Sequence, residues 1–261
     1  MKSLKKNHIW IIGASSGIGA SLAHGLALAG AKVVLTARRP EALEEIKLKL
    51  PGRGHLVMPL DVTKVDEVKY TLEKIFTHTQ YLDRVIFLPA IYSPHSNERK
   101  SIDFIHEMIS VNLSSAFTVV ETVIPAFIKQ GYGQIVLCGS VAGFRGLPRG
   151  QPYCATKAGI INYAESLKVE LSQENIDVKV INPGFVKTPL TDKNNFTMPM
   201  MISAEKAACY IRKGLVKSAF EIHFPKRFTY IMKILKFLPY WLYFKLTHIM
   251  QNNMQEQDKN E

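Results

Sequence analysis

Cysteine is scarce. The 261-residue chain holds three, Cys138, Cys154 and Cys209. They are too few and too scattered for a disulfide framework or a zinc site, so no metal centre is expected. A reducing compartment follows as the expectation. Cys154 directly follows Tyr153 and, on a helix, would point about 100° away from it, which assigns it to packing. Long apolar runs are missing too. No window approaches 18 uncharged apolar residues, so no membrane-spanning helix is expected. The N-terminal residues Met1 to Asn7 include lysines, but the apolar stretch behind them stops at Gly13, too short for a signal peptide. No internal repeat, low-complexity tract or linker interrupts the chain. Acidic residues are in deficit, 22 against 33 Lys and Arg, for a net charge of +11. With 47% hydrophobic and 21% charged residues, the chain is neither disordered nor a multi-span membrane protein. Its length suits one α/β domain with a large core.

What is present is alternation. Short apolar runs at 9–12, 31–37, 54–60, 82–88, 133–139, 177–181 and 220–224 read as strands. Between them, helical patterns cover 20–29, 40–50, 64–78, 101–129, 153–174 and 203–217. Strands alternating with helices predict a doubly wound, seven-stranded, mostly parallel sheet covered on both faces, of the Rossmann type.

Several residues carry chemistry in that frame. Gly13-x-x-x-Gly17-Ile18-Gly19 lies between the first strand and the first helix. Glycines there let backbone approach a pyrophosphate, and the helix N-terminus offers free N–H groups and a favourable dipole. The second strand ends in Arg38 and Arg39, where an NAD site tends to place a carboxylate. Guanidinium groups match a 2′-phosphate by bidentate, charge-assisted bonds, which points to NADP(H) over NAD(H). Asp61, just past the third strand, either accepts from an adenine amino group or caps the next helix. Tyr153 and Lys157 stand four apart on a predicted helix and therefore share a face. An ammonium beside a phenol lowers its pKa, and a phenol so tuned can pass a proton to or from a carbonyl or alcohol oxygen. Ser140, on the segment leaving the fifth strand, could hydrogen-bond the same oxygen. Asn112 is a polar residue within an otherwise apolar helical stretch.

In this order and at these spacings the residues resemble the short-chain dehydrogenase/reductase family, in its compact form, from residue 7 to about residue 224. The resemblance implies Tyr153 as general acid/base, Ser140 as the group that polarises and positions the substrate oxygen, Lys157 as the residue that binds the nicotinamide ribose and lowers the Tyr153 pKa, and Asn112 as holder of a water in a proton relay. It further implies a cofactor site along Gly13, Ser15, Ser16, Gly17, Ile18 and Gly19, with Arg38 and Arg39 for the 2′-phosphate and Asp61, Val62 and Ala90 around the adenosine. Pro183, Gly184 and Val186 would lie beside the nicotinamide and Thr188 at its carboxamide. One departure is clear. The family's Asn-Asn-Ala-Gly after the fourth strand is replaced by Leu88-Pro89-Ala90-Ile91. Proline cannot continue a central ladder, so an altered cofactor floor and weaker cofactor affinity are expected.

Residues 225–261 form a C-terminal extension beyond this oxidoreductase domain of residues 1–224. Positions 226–250 hold five Lys or Arg and no Asp or Glu. Ile231, Leu235, Leu238 and Leu242 recur at helical spacing among Tyr240, Trp241, Tyr243 and Phe244, and Pro239 divides the segment into two short helices. A basic, aromatic, amphipathic segment without spanning length fits a membrane interface. The alternative is an apolar face packed on the enzyme's own core or on a second subunit, in a homodimer or homotetramer. Nucleic acid is not expected, because the charge sits on an apolar-rich helix. Thr188 to Met201, with Phe196, Met198, Pro199 and Met200, is the expected substrate lid. The leading expectation is an NADP(H)-dependent oxidoreductase of a lipophilic carbonyl or alcohol, cytoplasmic with peripheral membrane contact. A soluble reductase of small metabolites and a dinucleotide-sensing interaction protein are the alternatives.

Overall fold

The computed structural model describes residues 3–94, 100–194 and 196–259. The chain begins β1 (His8–Ile12), α1 (Gly17–Leu28), β2 (Lys32–Thr36), α2 (Pro40–Leu48), β3 (Leu56–Val57), α3 (Val65–Thr79) and β4 (Arg84–Phe87). It continues through α4 (Ile102–Ile109), α5 (Ser115–Gln130), β5 (Gly133–Cys138), α6 (Tyr153–Glu170) and β6 (Ile176–Pro183). It closes with β7 (Val186–Lys187), β8 (Ile202–Ser203), α7 (Ala204–Leu215), β9 (Glu221–Phe224), α8 (Lys226–Phe237) and α9 (Tyr240–Lys259).

Seven strands pair in the order β3-β2-β1-β4-β5-β6-β9, and every pair is parallel. Successive side chains of a strand point to opposite faces. In β1, Trp10 and Ile12 join the layer formed by α3, α5 and α6, while Ile9 and Ile11 join the layer formed by α1, α2 and α7. Both faces are therefore apolar, as a parallel sheet buried on both sides requires. The connections run one way from β1 to β2 and the other way from β1 to β4. Such a reversal opens a crevice at the carboxyl ends of the strands.

The third strand is shorter than expected. Only Leu56–Val57 pair as strand, although Met58 and Leu60 still donate to the Leu35 and Ala37 carbonyls at 3.0 Å. Pro59 between them has no N–H to give. The helix expected over 101–129 is interrupted by a π-turn at Ser110–Ser114, with Asn112 in it. Within the run Ile102–Gln130 an 18-residue window has a mean hydropathy of 1.5, so the helix is long and apolar enough to cross a membrane by length and composition. Its Val119, Val120, Val123 and Phe127 are packed in the core against the sheet, which accounts for that apolarity. A second parallel ladder, β7–β8, was not anticipated.

The extension does form two helices, broken at Leu238–Pro239, but α9 runs for 20 residues and is not short. The expected apolar stripe is split between two environments. Phe228, Thr229 and Met232 are buried, the two apolar ones against Val141 with Phe144, Leu147 and Phe185 around them. Ile231, Ile234 and Phe237 are exposed. Phe228 also occupies the space a side chain at Gly184 would need, its Cδ1 2.6 Å from a built Cβ. Phe228→Ala is expected to lower the unfolding free energy by about 3 kcal/mol, the usual range for an aromatic cavity. Urea denaturation measures this, and a loss below about 1 kcal/mol would mean that α8 is not held by this side chain.

Candidate active site

The crevice over the sheet is a cleft of about 570 Å³. Its lining includes Gly13, Ser15, Ser16, Gly17, Ile18 and Gly19 from the first turn, and Arg38 and Arg39 from the end of β2. Asp61, Val62, Ala90 and Thr188 complete the expected residues on this wall. Gly13 and Gly17 have φ of +84° and +52°, where a Cβ is strained. At Gly19 the constraint is distance. A Cβ there would stand 2.1 Å from the Gly13 carbonyl oxygen, so only glycine lets α1 start this close to β1. A Cβ at Gly17 would meet Thr188 Cγ2 at 3.0 Å, which shows how closely the β7 side closes over the turn.

Neither Arg38 nor Arg39 makes a hydrogen bond or ion pair among the described residues, and both are exposed. Asp61 is not a helix cap. Its Oδ1 accepts from the Thr63 amide at 3.0 Å and the Thr63 hydroxyl at 2.7 Å, and α3 starts later, after Lys64. Burial opposes ionisation of Asp61, but the two Thr63 bonds and the charge of Arg38 outweigh it and hold the carboxyl below its ordinary range.

The Leu88-Pro89 substitution does not break the sheet. Leu88 donates the last ladder bond, to Ile12 at 3.0 Å, and Pro89 follows where no bond is required. The floor is close-packed there, since the Pro89 nitrogen is 3.1 Å from a built Cβ on Gly13. Asn112 then takes over. Its Oδ1 accepts from the Ile91 amide at 2.7 Å, and its Nδ2 donates to the Ile91 carbonyl at 2.9 Å. The carboxamide thus imitates a neighbouring strand for a segment that has left the sheet.

Beyond the inner end of the cleft stand the other expected residues. Cys138 lines the cleft, and its carbonyl accepts from the Lys157 ammonium at 2.7 Å. Lys157 is 1% exposed, and its burial lowers its pKa. Ser140 Oγ accepts from the Ala142 amide at 3.1 Å and caps the turn that follows β5. Tyr153 opens α6 and is half-buried. Its pKa does not fall, as the sequence suggested, but rises well above the ordinary tyrosine value. Burial is the main cause, and a hydrogen bond with the Ser140 side chain acts the other way. The Lys157 ammonium does not offset that burial, because it is directed to the Cys138 carbonyl and lies 5.6 Å from the Tyr153 ring centroid. Pro183, Gly184 and Val186 are not on the cleft wall. Val186 is buried, and the Gly184 amide donates to the Phe224 carbonyl at 2.7 Å.

Tyr92 was missed from the sequence. Its ring meets Tyr153 edge-on with centroids 5.1 Å apart, and its hydroxyl donates to Asn194 Oδ1 at 3.0 Å. Lys193, on the cleft wall, donates to the Tyr92 carbonyl at 3.1 Å. Part of the expected lid is therefore latched to the segment after β4, and the position of Tyr92 four residues past a recognisable strand end was the available signal. Asn195, within that lid, lies outside the described residues.

Residues 7–198 match the model of the short chain dehydrogenase family. The chain belongs to the short-chain dehydrogenase/reductase family. An uncharacterized oxidoreductase of Myxococcus xanthus is 32% identical over 231 residues, covering 88% of this chain and 91% of that protein. The 3-oxoacyl-(acyl-carrier-protein) reductase of Escherichia coli is 34% identical over 181 residues, 69% of this chain and 74% of that one. A crystal structure of a variant actinorhodin polyketide ketoreductase with NADPH superposes with a TM-score of 0.76 at 21% identity, covering 86% of this chain and 97% of that one, a likeness of fold. The family is one of oxidoreductases that bind NAD(P)(H) and act on CH–OH or C=O groups. The glycine turn, with its two left-handed glycines and its close approach at Gly19, fits a dinucleotide pyrophosphate in this short-chain dehydrogenase.

Burial, aided by Cys154, pushes Tyr92 up to about 12. An unfolded tyrosine releases its proton near pH 10, so between about pH 10 and 12 the folded short-chain dehydrogenase keeps a proton that the unfolded chain has lost. Stability then falls as pH rises through that window. Tyr92→Phe is expected to make this fall shallower in urea denaturation run at a series of pH values. An unchanged slope would show that Tyr92 does not carry it.

Proposed function

We propose that this chain is an NADP(H)-dependent oxidoreductase that interconverts a lipophilic carbonyl compound and its alcohol at a membrane surface. The observation that supports the reaction is the hydrogen bond between the Ser140 and Tyr153 side chains beyond the glycine-lined cleft, with Lys157 and Asn112 each one hydrogen bond from its wall, through Cys138 and Ile91. A bound nicotinamide dinucleotide would supply or accept the hydride. Gly13 to Gly19 would hold its pyrophosphate, Asp61 and Val62 its adenosine, and Thr188 its nicotinamide end. Pro183, Gly184 and Val186 would support that end from behind the wall. Arg38 and Arg39, exposed on the cleft and with no side-chain hydrogen bond or ion pair among the described residues, would take a 2′-phosphate.

The raised pKa of Tyr153 keeps its phenol protonated at neutral pH, so its Oη is a proton donor to a developing alkoxide. Ser140 would hydrogen-bond the same oxygen. Lys157 would contribute its charge from below, and Asn112 would hold the Ile91 backbone and a relay water. In the reverse direction Tyr153 Oη would take the alcohol's proton. Tyr153→Phe is expected to cut turnover by about 10²–10⁴-fold while the NADPH dissociation constant, read by fluorescence, stays put. Wild-type turnover would remove Tyr153 from the reaction. Arg38→Asp is expected to reverse the NADPH preference in kcat/KM.

The lipophilic reading rests on the outer face of α8 and α9 and on the similarity to a reductase named for 3-oxoacyl groups. Ile234, Phe237, Tyr240, Trp241, Phe244 and Ile249 are all more than half exposed, beside exposed Arg227, Lys236 and Lys245. An apolar face flanked by cations suits an anionic bilayer surface, with about 1 kcal/mol from each nearby Lys or Arg. The chain has two tryptophans, and Trp10 is fully buried whereas Trp241 is 71% exposed. Vesicles of anionic lipid should therefore shift the emission of Trp241 to the blue and raise turnover of long-chain aldehydes over short ones. No shift, with self-association at the same concentration, would assign the face to a second copy of the chain instead.

A further inference from the structure

Arg145 lies between the two proposed reacting residues, in the segment that leads from the turn after Ser140 to the start of α6 at Tyr153. Its Nη1 donates to three carbonyl oxygens at the end of the extension's first helix, those of Leu235 at 3.0 Å, Lys236 at 3.2 Å and Leu238 at 2.6 Å. The last carbonyls of a helix lack intrahelical partners and carry the negative end of its dipole, so a cation there is stabilised twice. The same guanidinium lies 3.8 Å from the ring centroid of Tyr243 and 4.9 Å from that of Tyr240, both in the first turn of α9. It therefore fills the elbow at which α8 becomes α9. Tyr243 is 3% exposed, and its hydroxyl has no hydrogen-bond partner among the described residues. Burial of that ring is compensated by packing and by the cation on its face rather than by a bond at its oxygen. Around the guanidinium, Val141, Phe144 and Leu147 of the same segment pack against Phe228, Met232 and Leu235.

We propose that Arg145 is a positioning residue that makes the C-terminal helices part of the catalytic centre. It anchors the segment joining Ser140 to Tyr153 on the α8–α9 elbow, and so sets the approach of the serine hydroxyl to the phenol. The proposal rests on the reading of Ser140 and Tyr153 as the reacting groups. The chemistry selects arginine specifically: a planar fork can donate to clustered carbonyls and stack on aromatic rings at once, whereas a lysine ammonium is a point charge that does one or the other. The elements that line the cofactor cleft, the glycine turn, the end of β2 and Thr188, make none of these contacts. Loss of Arg145 should therefore act on the chemical step and not on cofactor binding.

The test uses the full-length chain with Arg145→Ala, Arg145→Lys, Tyr243→Leu and the double variant Arg145→Ala/Tyr243→Leu. In Arg145→Ala, amide hydrogen exchange is expected to quicken in residues 141–152 and 238–246 and to stay unchanged in 13–19. Turnover of a carbonyl substrate should fall roughly ten- to hundredfold, the scale of a misplacement near 1 Å, with the NADPH KM unaltered. Arg145→Lys should not restore it, and added methylguanidinium should restore part of it in Arg145→Ala. Tyr243→Leu should give a smaller loss, because the three carbonyl bonds of Arg145 remain, and the double variant no loss beyond that of Arg145→Ala, because the cation–ring contact is already gone there. Unchanged exchange in 141–152, or full turnover in Arg145→Ala with only a lower melting temperature, would overturn the proposal and leave Arg145 as a fastening for the tail. Exchange is read without substrate. A wild-type chain inactive on every carbonyl and alcohol offered would thus count against the proposed reaction, while the exchange result would still decide the anchoring of this segment.

Discussion

The site depends on a buried ammonium. Lys157 is almost wholly shielded from water, and a charge so placed must be paired or donated to fixed oxygens. It finds the Cys138 carbonyl at the last residue of β5. That bond fixes the first turn of α6 against the end of a central strand. Because Tyr153 sits one turn before Lys157 and Ser140 two residues after Cys138, one hydrogen bond sets where the phenol and the hydroxyl can meet. Close approach reinforces it. A side chain at Gly143 would come within 2.6 Å of the Lys157 backbone, so the turn after Ser140 can lie directly on α6.

The same economy governs the replaced strand end. A proline after β4 would be costly within the ladder, yet it falls one residue past the last interstrand bond. Downstream, the backbone at Ile91 has no strand beside it, and Asn112 supplies both a donor and an acceptor from a widened helical turn. A buried carboxamide that satisfies a half-buried peptide group is structural work done by a residue the sequence had marked for chemistry. The two roles are compatible, since Oδ1 accepts one bond from the Ile91 amide and keeps a second lone pair for a water, while the second Nδ2 hydrogen is directed to the Thr156 hydroxyl at 3.4 Å.

The extension has two apolar faces with different fates. Phe228 and Met232 are spent on the loop that follows Ser140, and Tyr243 on the Arg145 guanidinium. The side of α8 and α9 that carries Phe237, Trp241 and Phe244 remains open to solvent. Tyr240 stacks on Phe244 within this exposed set, which therefore includes a paired aromatic surface and not only single apolar residues. Because the buried face touches the segment between Ser140 and Tyr153, the open face is mechanically close to the proposed site.

The sequence by itself determined the layered α/β architecture, through strands and helices that alternate with the right periods, and it marked the glycine turn, Arg38, Ser140, Tyr153 and Lys157, because backbone approach, anion recognition and proton transfer each demand particular residue types at particular spacings. It also announced that the last 37 residues differ in kind, through the absence of acids from 226–250. Tertiary structure alone decided the rest. Whether Tyr153 has a raised or lowered pKa depends on burial and on where one ammonium points, and spacing along a helix reports neither. Pro183, Gly184 and Val186 fall behind the cleft wall because Phe224 and Phe228 hold that segment, contacts made with residues about 40 positions away. Tyr92 and Arg145 belong to no local pattern. Their roles come from partners about 60 to 100 residues distant in the chain, and such pairings exist only once the chain has folded.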